Sequence, residues 1–227
     1  MTIVESRPPV SPGQPAPDFS LPAVTREDER VSLEDYRGRS AVFLALFIGL
    51  WCPFCRRSIA QMGVTAGKLE ALGVEALGIV ATPAENARLY FKYRPTRLRL
   101  AADPALSTHR AYGLPKPAPT PELMKAIETT RINPMGEFPE PLPITEAAVA
   151  MAKIDGYTEN ETDKADMKRQ WPQLKGQVPD RPQRHRPLGQ RRVRNGGLRR
   201  GREVPVRGGD SHSCACPAVL LIGAGSQ

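Results

Sequence analysis

Residues 41–48, Ala-Val-Phe-Leu-Ala-Leu-Phe-Ile, are eight apolar residues in a row, and they lead into Trp51-Cys52-Pro53-Phe54-Cys55-Arg56. An unbroken apolar run is what a strand needs when both of its faces are covered. Beyond the cysteines, Ile59, Met62, Leu69 and Leu72 recur at helical spacing up to Gly73. The local order is therefore buried strand, turn bearing Cys-x-x-Cys, helix. In that context the motif points to thiol redox chemistry.

The same alternation continues downstream. Residues 74–81 read as a second buried strand, and Thr82-Pro83 opens a helix through about Tyr93 with Thr82 as its cap. Residues 98–102 read as a third strand. Asp103-Pro104 then starts a helix to about Tyr112, which Gly113 stops. The β-α-β-α-β-α order predicts an α/β fold with parallel strands and helices on the faces of the sheet. Upstream, Phe19 and Leu21 alternate as in a short edge strand, and residues 31–38 read as a strand end and a helical turn. Residues 1–12 read as a flexible lead. From 115 to about 170 the alternation breaks. Helices are expected from Thr120-Pro121 to about Thr130, from about Thr145 to Lys153, and at 163–170, with a turn at Asn133-Pro134-Met135-Gly136. This stretch reads as an insertion over one edge of the domain, a structural addition rather than a lid.

A thiol reacts as its thiolate, and the free N–H groups and dipole of a helix N-terminus stabilise that anion. Cys52 falls at the start of the expected helix and is the expected nucleophile. Cys55, about one turn on, can attack a mixed disulfide or sulfenic acid formed on Cys52. Pro53 suits the first helical turn, and Arg56 and Arg57 add positive charge. A zinc half-site would need two more ligands. Cys214 and Cys216 are the only other cysteines, and their Cys-x-Cys-Pro setting supports that poorly. No metal and no cofactor are expected. His109, His185 and His212 are scattered; His109 is read as a packing or surface residue, Asp103 as a helix cap, and Tyr112 and Trp171 as packing residues.

Three motifs taken together, Gly13-x-Pro15-Ala16-Pro17-Asp18-Phe19-x-Leu21, Leu33-x-x-Tyr36-x-Gly38 and Trp51-Cys52-x-x-Cys55-Arg56, resemble the peroxiredoxin-like redoxins of the AhpC/TSA group. The resemblance covers about residues 13–113. It implies a thioredoxin-like fold, with a central mixed sheet flanked by helices, and a thiol-dependent antioxidant or disulfide-reducing activity. Cys52 takes the attacking position and Cys55 the resolving one, with Trp51, Pro53 and Arg56 around them. The substrate would be a peroxide or a disulfide, and the electron donor of thioredoxin or glutathione type. Two departures stand out. Typical peroxiredoxins carry a Thr three residues before the attacking Cys, where this chain has Gly49. Thioredoxin-type reductases carry a cis-Pro just before the fourth strand. Pro172 falls too early for it, and Lys175-Gly176-Gln177 stands at the expected place.

Charge divides the chain. Of the net +8, the stretch from Val178 onward holds +7, from ten arginines against three acids. Residues 13–177 are thus a near-neutral domain, and 178–227 an Arg/Gly/Pro-rich tail expected to be disordered. A thioredoxin-like sheet calls for a β-hairpin and a last helix there, and no pattern for either is visible. Without them the strand at 41–48 would lose a neighbour and the domain would be poorly stable. A basic tail can bind nucleic acid, yet this one has neither Lys nor aromatic residues, and nucleic-acid binding is not expected. Its composition is that of a GC-rich gene read out of frame. A one-base shift of the back-translated codons from Val178 admits Phe-Leu-Ile-Asp and then Arg-Asn-Gly-Ile-Val-Arg-Trp, the start of a strand-turn-strand. The coding DNA across codon 178 tests that reading. There is no apolar run of about 18 residues and no signal-peptide pattern, so a cytoplasmic location is expected.

Overall fold

The computed structural model describes residues 8–11, 13–134, 136–182 and 222–224. In chain order its elements are β1 (Ser20–Pro22), β2 (Arg30–Ser32), a 3-10 turn (Glu34–Tyr36), β3 (Ala41–Phe47), α1 (Pro53–Glu70), β4 (Val74–Val80), α2 (Ala84–Tyr93), β5 (Arg99–Ala102) and α3 (Ser107–Ala111). The insertion supplies α4 (Pro121–Thr129), β6 (Arg131–Ile132), β7 (Leu142–Pro143), α5 (Ile144–Ile154) and α6 (Glu161–Gln170). Then come β8 (Gly176–Pro182) and β9 (Ile222–Ala224).

The central sheet has the order β5-β4-β3-β8-β9. β3 and β4 are parallel in the register Ala41↔Val74 to Phe47↔Val80, and β5 continues parallel beside β4. Side chains alternate across β3. Val42, Leu44 and Leu46 join one core, with Phe19, Val31, Leu77, Ile79 and Tyr112. Phe43, Ala45 and Phe47 join or pack against a second, with Cys55, Ile59, Phe91 and Leu100. Each face of the strand thus has its own apolar layer, which accounts for the unbroken run in the sequence. At about 1.5–3 kcal/mol for each fully buried large side chain, these layers are the main stabilising term of the domain. The architecture is the expected α/β one, a mixed sheet flanked by helices in a thioredoxin-like fold.

Several local expectations are corrected. β8 pairs antiparallel with β3, from Leu46↔Gly176 to Phe43↔Pro179. The strand therefore runs through the boundary expected at 177/178, and β3 keeps a neighbour on both sides. Gly176 and Pro179 are poor strand formers. What orders them is the open edge of β3, whose N–H and C=O groups need partners. β8 in turn pairs parallel with β9, Asp180↔Ile222 to Pro182↔Ala224, so β9 is not the second arm of a hairpin. Among the described residues no helix follows β8. The rest of the tail, with His185, His212, Cys214, Cys216 and the codon-shift reading, lies outside the described residues.

At the other end, Val10 is buried in the first core, so packing begins ahead of Gly13. α3 starts only at Ser107, but Asp103 still caps it. Its carboxylate accepts from Thr108 N–H at 2.7 Å and from the Ser107 hydroxyl at 3.0 Å. Thr82 does not cap α2. Its hydroxyl accepts instead from Leu50 N–H at 2.9 Å, which ties β4 to the loop before the cysteines. No helix among the described residues is long and apolar enough to cross a membrane.

Candidate active site

The site lies where β3 ends and α1 begins. Cys52 is the N-cap of α1, with extended backbone (φ −80°, ψ 112°), and Pro53 occupies the first turn, as its missing N–H allows. Cys55 follows one turn later, its N–H bonded to the Cys52 carbonyl at 3.1 Å. Both thiols are free and buried, Cys52 at 7% exposure and Cys55 at 0%.

Their environments push the two thiols apart. The Cys55 thiol donates to Cys52, which lowers the Cys52 pKa to about 7 against the opposing effect of burial; the N–H groups of Cys55 and Phe54 and the charge of Lys175 also favour the thiolate. Cys55 moves the other way, well above the ordinary thiol range, because it donates that hydrogen bond and is buried. One group is thus poised to be an anion while the other keeps its proton.

The positive charge beside the thiols is not the one the sequence suggested. Arg56 is buried, and its Nη1 donates to the carbonyls of Leu50 (2.7 Å) and Trp51 (3.3 Å) while its guanidinium stacks 3.8 Å from the Tyr157 ring centre. It holds the turn before Cys52 in shape. Arg57 is turned to Asp155, at 2.6 Å, and to Glu137. The cation that acts on both thiols is Lys175, just ahead of β8. Its Nζ donates to Ser58 Oγ at 3.2 Å, and Ser58 donates to the Phe54 carbonyl at 2.7 Å. The sequence placed Lys175 at the expected start of the fourth strand but gave no sign of its role, because a single lysine carries no pattern. Replacing it with glutamine is expected to move the midpoint of Cys52 alkylation upward from about 7. An iodoacetamide rate profile over pH 5.5–9.5 checks this.

Gly49 also has a physical reason. A Cβ there would lie 2.5 Å from Trp51 Cδ1 and 2.7 Å from Gln170 Oε1. The Gln170 oxygen accepts from Gly49 N–H and from the Trp51 indole N–H, both at 2.7 Å, and its amide donates to the Ala81 carbonyl. The position of the peroxiredoxin Thr is therefore filled by the indole of one segment and the amide of another. Gly49→Ala is expected to cost about 2 kcal/mol, as overpacking of a tight core does. A thermal melt should show Tm lower by roughly 4–8 °C.

The insertion is no edge addition. Phe54, inside the motif, packs on the cluster of Phe138, Ala147 and Met151. Asp155, Tyr157 and Gln170 supply the contacts to Arg56, Arg57, Gly49 and Trp51 just described. The Trp171-Pro172 bond is cis and lies ahead of β8, which begins at Gly176. His109 is fully buried, and desolvation lowers its pKa to about 4, so it stays neutral. Tyr112 is buried and donates to the Pro17 carbonyl at 2.9 Å, and Trp171 is half-buried. These three residues pack, as expected.

The sequence pattern of the AhpC/TSA family matches residues 12–134, more than half of the chain. No curated protein matches. Among solved structures, a candidate thiol:disulfide interchange protein DsbE of Chlorobium tepidum is 30% identical over 47% of this chain and 72% of its own, with a TM-score of 0.41. A secreted thiol-disulfide isomerase of Corynebacterium glutamicum is 22% identical, covering 45% and 63%, at 0.39. A 2-Cys peroxiredoxin of Plasmodium vivax is 21% identical, covering 47% and 60%, at 0.41. The family match takes in the first strands, the Cys52–Cys55 turn and the parallel strands β3, β4 and β5: the chain belongs to the AhpC/TSA family and is an oxidoreductase of thioredoxin-like fold.

Proposed function

We propose that the chain is a thiol–disulfide oxidoreductase in which Cys52 attacks and Cys55 resolves. The observation that carries this reading is the opposed tuning of the two thiols on one helical turn. With a pKa of about 7, about half of Cys52 is thiolate at neutral pH, against about one per cent for a thiol left at 9.0. Intrinsic nucleophilicity falls with pKa, so the net gain in attack rate is about sixfold.

The Cys52 thiolate attacks one sulfur of a substrate disulfide, forming a mixed disulfide and expelling the other sulfur as a thiolate. Cys55 then gives up its proton and attacks Cys52 Sγ. The second substrate thiol leaves, and two electrons have passed to the substrate as the Cys52–Cys55 disulfide forms. An external donor, a thioredoxin-type dithiol or two glutathione-type thiols, restores the pair as its own sulfurs become a disulfide. With a peroxide, the same thiolate would take one oxygen to become a sulfenic acid, expelling water or an alcohol. Cys55 would then condense with it, releasing water. Gly49 favours the disulfide, since the Trp51 indole and the Gln170 amide stand where a peroxide-orienting hydroxyl would project. The low exposure of both sulfurs favours small substrates. We place the activity in the cytoplasm, where a reducing pool keeps such a pair supplied with electrons.

The test compares initial rates with hydrogen peroxide and with a small aromatic disulfide under the same dithiol donor. Faster disulfide turnover is expected. A peroxide rate constant above the disulfide one would replace this reading with a peroxidase.

A further inference from the structure

Between α1 and α2 lies a cleft of about 360 Å³, within the range of about 300–1,000 Å³ typical of small-molecule sites. Three guanidinium groups line it, those of Arg56, Arg57 and Arg94, against the single carboxylate of Asp155. They are unequally engaged. Arg57 is bonded to Asp155 and Glu137. The Arg56 side chain is only 2% exposed, yet its Nε and Nη2 make no hydrogen bond, Nη2 standing 3.6 Å from Asp155 Oδ2. Arg94 has no carboxylate partner among the described residues. It donates to the Asp155 carbonyl at 3.4 Å and stacks on the rings of Tyr90 and Tyr157, at 5.3 and 5.8 Å from their centres.

Arg56 Nε and Nη2 are closed off from solvent, so the guanidinium that a ligand in the cleft can reach is that of Arg94, and a guanidinium with no carboxylate partner favours an ionised acceptor. The cleft has a second character. Ile59, Phe91 and Pro95 form apolar wall beside the guanidiniums, and Thr96 adds a hydroxyl. We propose that this cleft binds a small organic oxyanion, a carboxylate or phosphate ester with an apolar body, whose charged end sits at Arg94 with the charges of Arg56 and Arg57 nearby. The body lies against Ile59, Phe91 and Pro95. A neighbouring cleft shares Tyr90 and Arg94 and reaches Leu50, two residues before Cys52, so the site adjoins the redox turn.

Isothermal titration calorimetry of the full chain tests this, with phenyl phosphate and inorganic phosphate as probes at an ionic strength held constant with KCl. Saturable one-to-one binding of phenyl phosphate is expected, about tenfold tighter than that of inorganic phosphate. Arg94→Gln, an exposed change outside the redox machinery, is expected to weaken it by about tenfold, as loss of a charge-assisted contact does. The variant should keep the wild-type rate of Cys52 alkylation, which shows that it is folded. Equal affinity for the two probes would overturn the organic body. No saturable binding, or binding undiminished in Arg94→Gln, would overturn the site itself, the latter result assigning the anion to the Arg-rich tail.

Discussion

Cys55→Ser is expected to turn this protein into a single-turnover trap. Cys52 would still attack a disulfide, but nothing on the next turn of α1 could displace the mixed disulfide that results. Intact mass spectrometry should then show the substrate half joined to Cys52, stable until an external thiol is added. Cys52→Ser is expected to lose turnover by at least about a thousandfold, because the serine hydroxyl stays protonated where the thiol was half ionised. The two variants separate the roles. If Cys55→Ser turned over at the wild-type rate, resolution would belong to another group. If Cys52→Ser kept its rate, the nucleophile would be another residue. Cys55→Ala, which unlike serine leaves no donor, removes the hydrogen bond that does most to hold the Cys52 pKa down, so its alkylation midpoint should rise above about 7.

Gln170→Ala is expected to be the most damaging change outside the thiols. Gln170 is fully buried at the end of α6, and its one side chain bonds Gly49 N–H, the Trp51 indole and the Ala81 carbonyl. Truncation leaves the Gly49 N–H and the Trp51 indole N–H without partners, takes one of two donors from the Ala81 carbonyl, and opens a cavity where the amide stood. Each unsatisfied buried group costs about 1–3 kcal/mol, so a loss of at least about 3 kcal/mol is expected. A Tm lower by roughly 6–12 °C should follow. Because Gln170 also fixes Trp51, next to the nucleophile, thiol reactivity should become heterogeneous below the melt. A variant that melted within a degree of wild type would show that the insertion does not hold the turn.

The fold through α3 was legible because its signals are local. Residues 41–48 announce a doubly buried strand, Pro53 and the spacing of Ile59, Met62 and Leu69 announce α1, and Gly73 and Gly113 mark where helices stop. The place of Cys52 at the N-terminus of α1 was legible for the same reason, since it follows from the chain order. Thr82 and Arg56 were read by local rules and answered to tertiary ones. Thr82 holds Leu50 rather than α2, and Arg56 holds two carbonyls and a tyrosine ring rather than the thiolate.

By itself, then, the sequence determined the α/β layering and the placing of a cysteine pair on the first turn of α1. Each of these rests on periodicity or spacing within about twenty residues. The tertiary structure alone decided the cation at the thiols, the reason for Gly49, the seat of the insertion and the strand that completes the edge of β3. Each joins groups far apart in the chain: Lys175 to Ser58, Gln170 to Gly49, Phe138 to Phe54, Gly176 to Leu46. A single lysine, glutamine or glycine has no periodicity, and its partner is fixed only when the packed layers bring the two together.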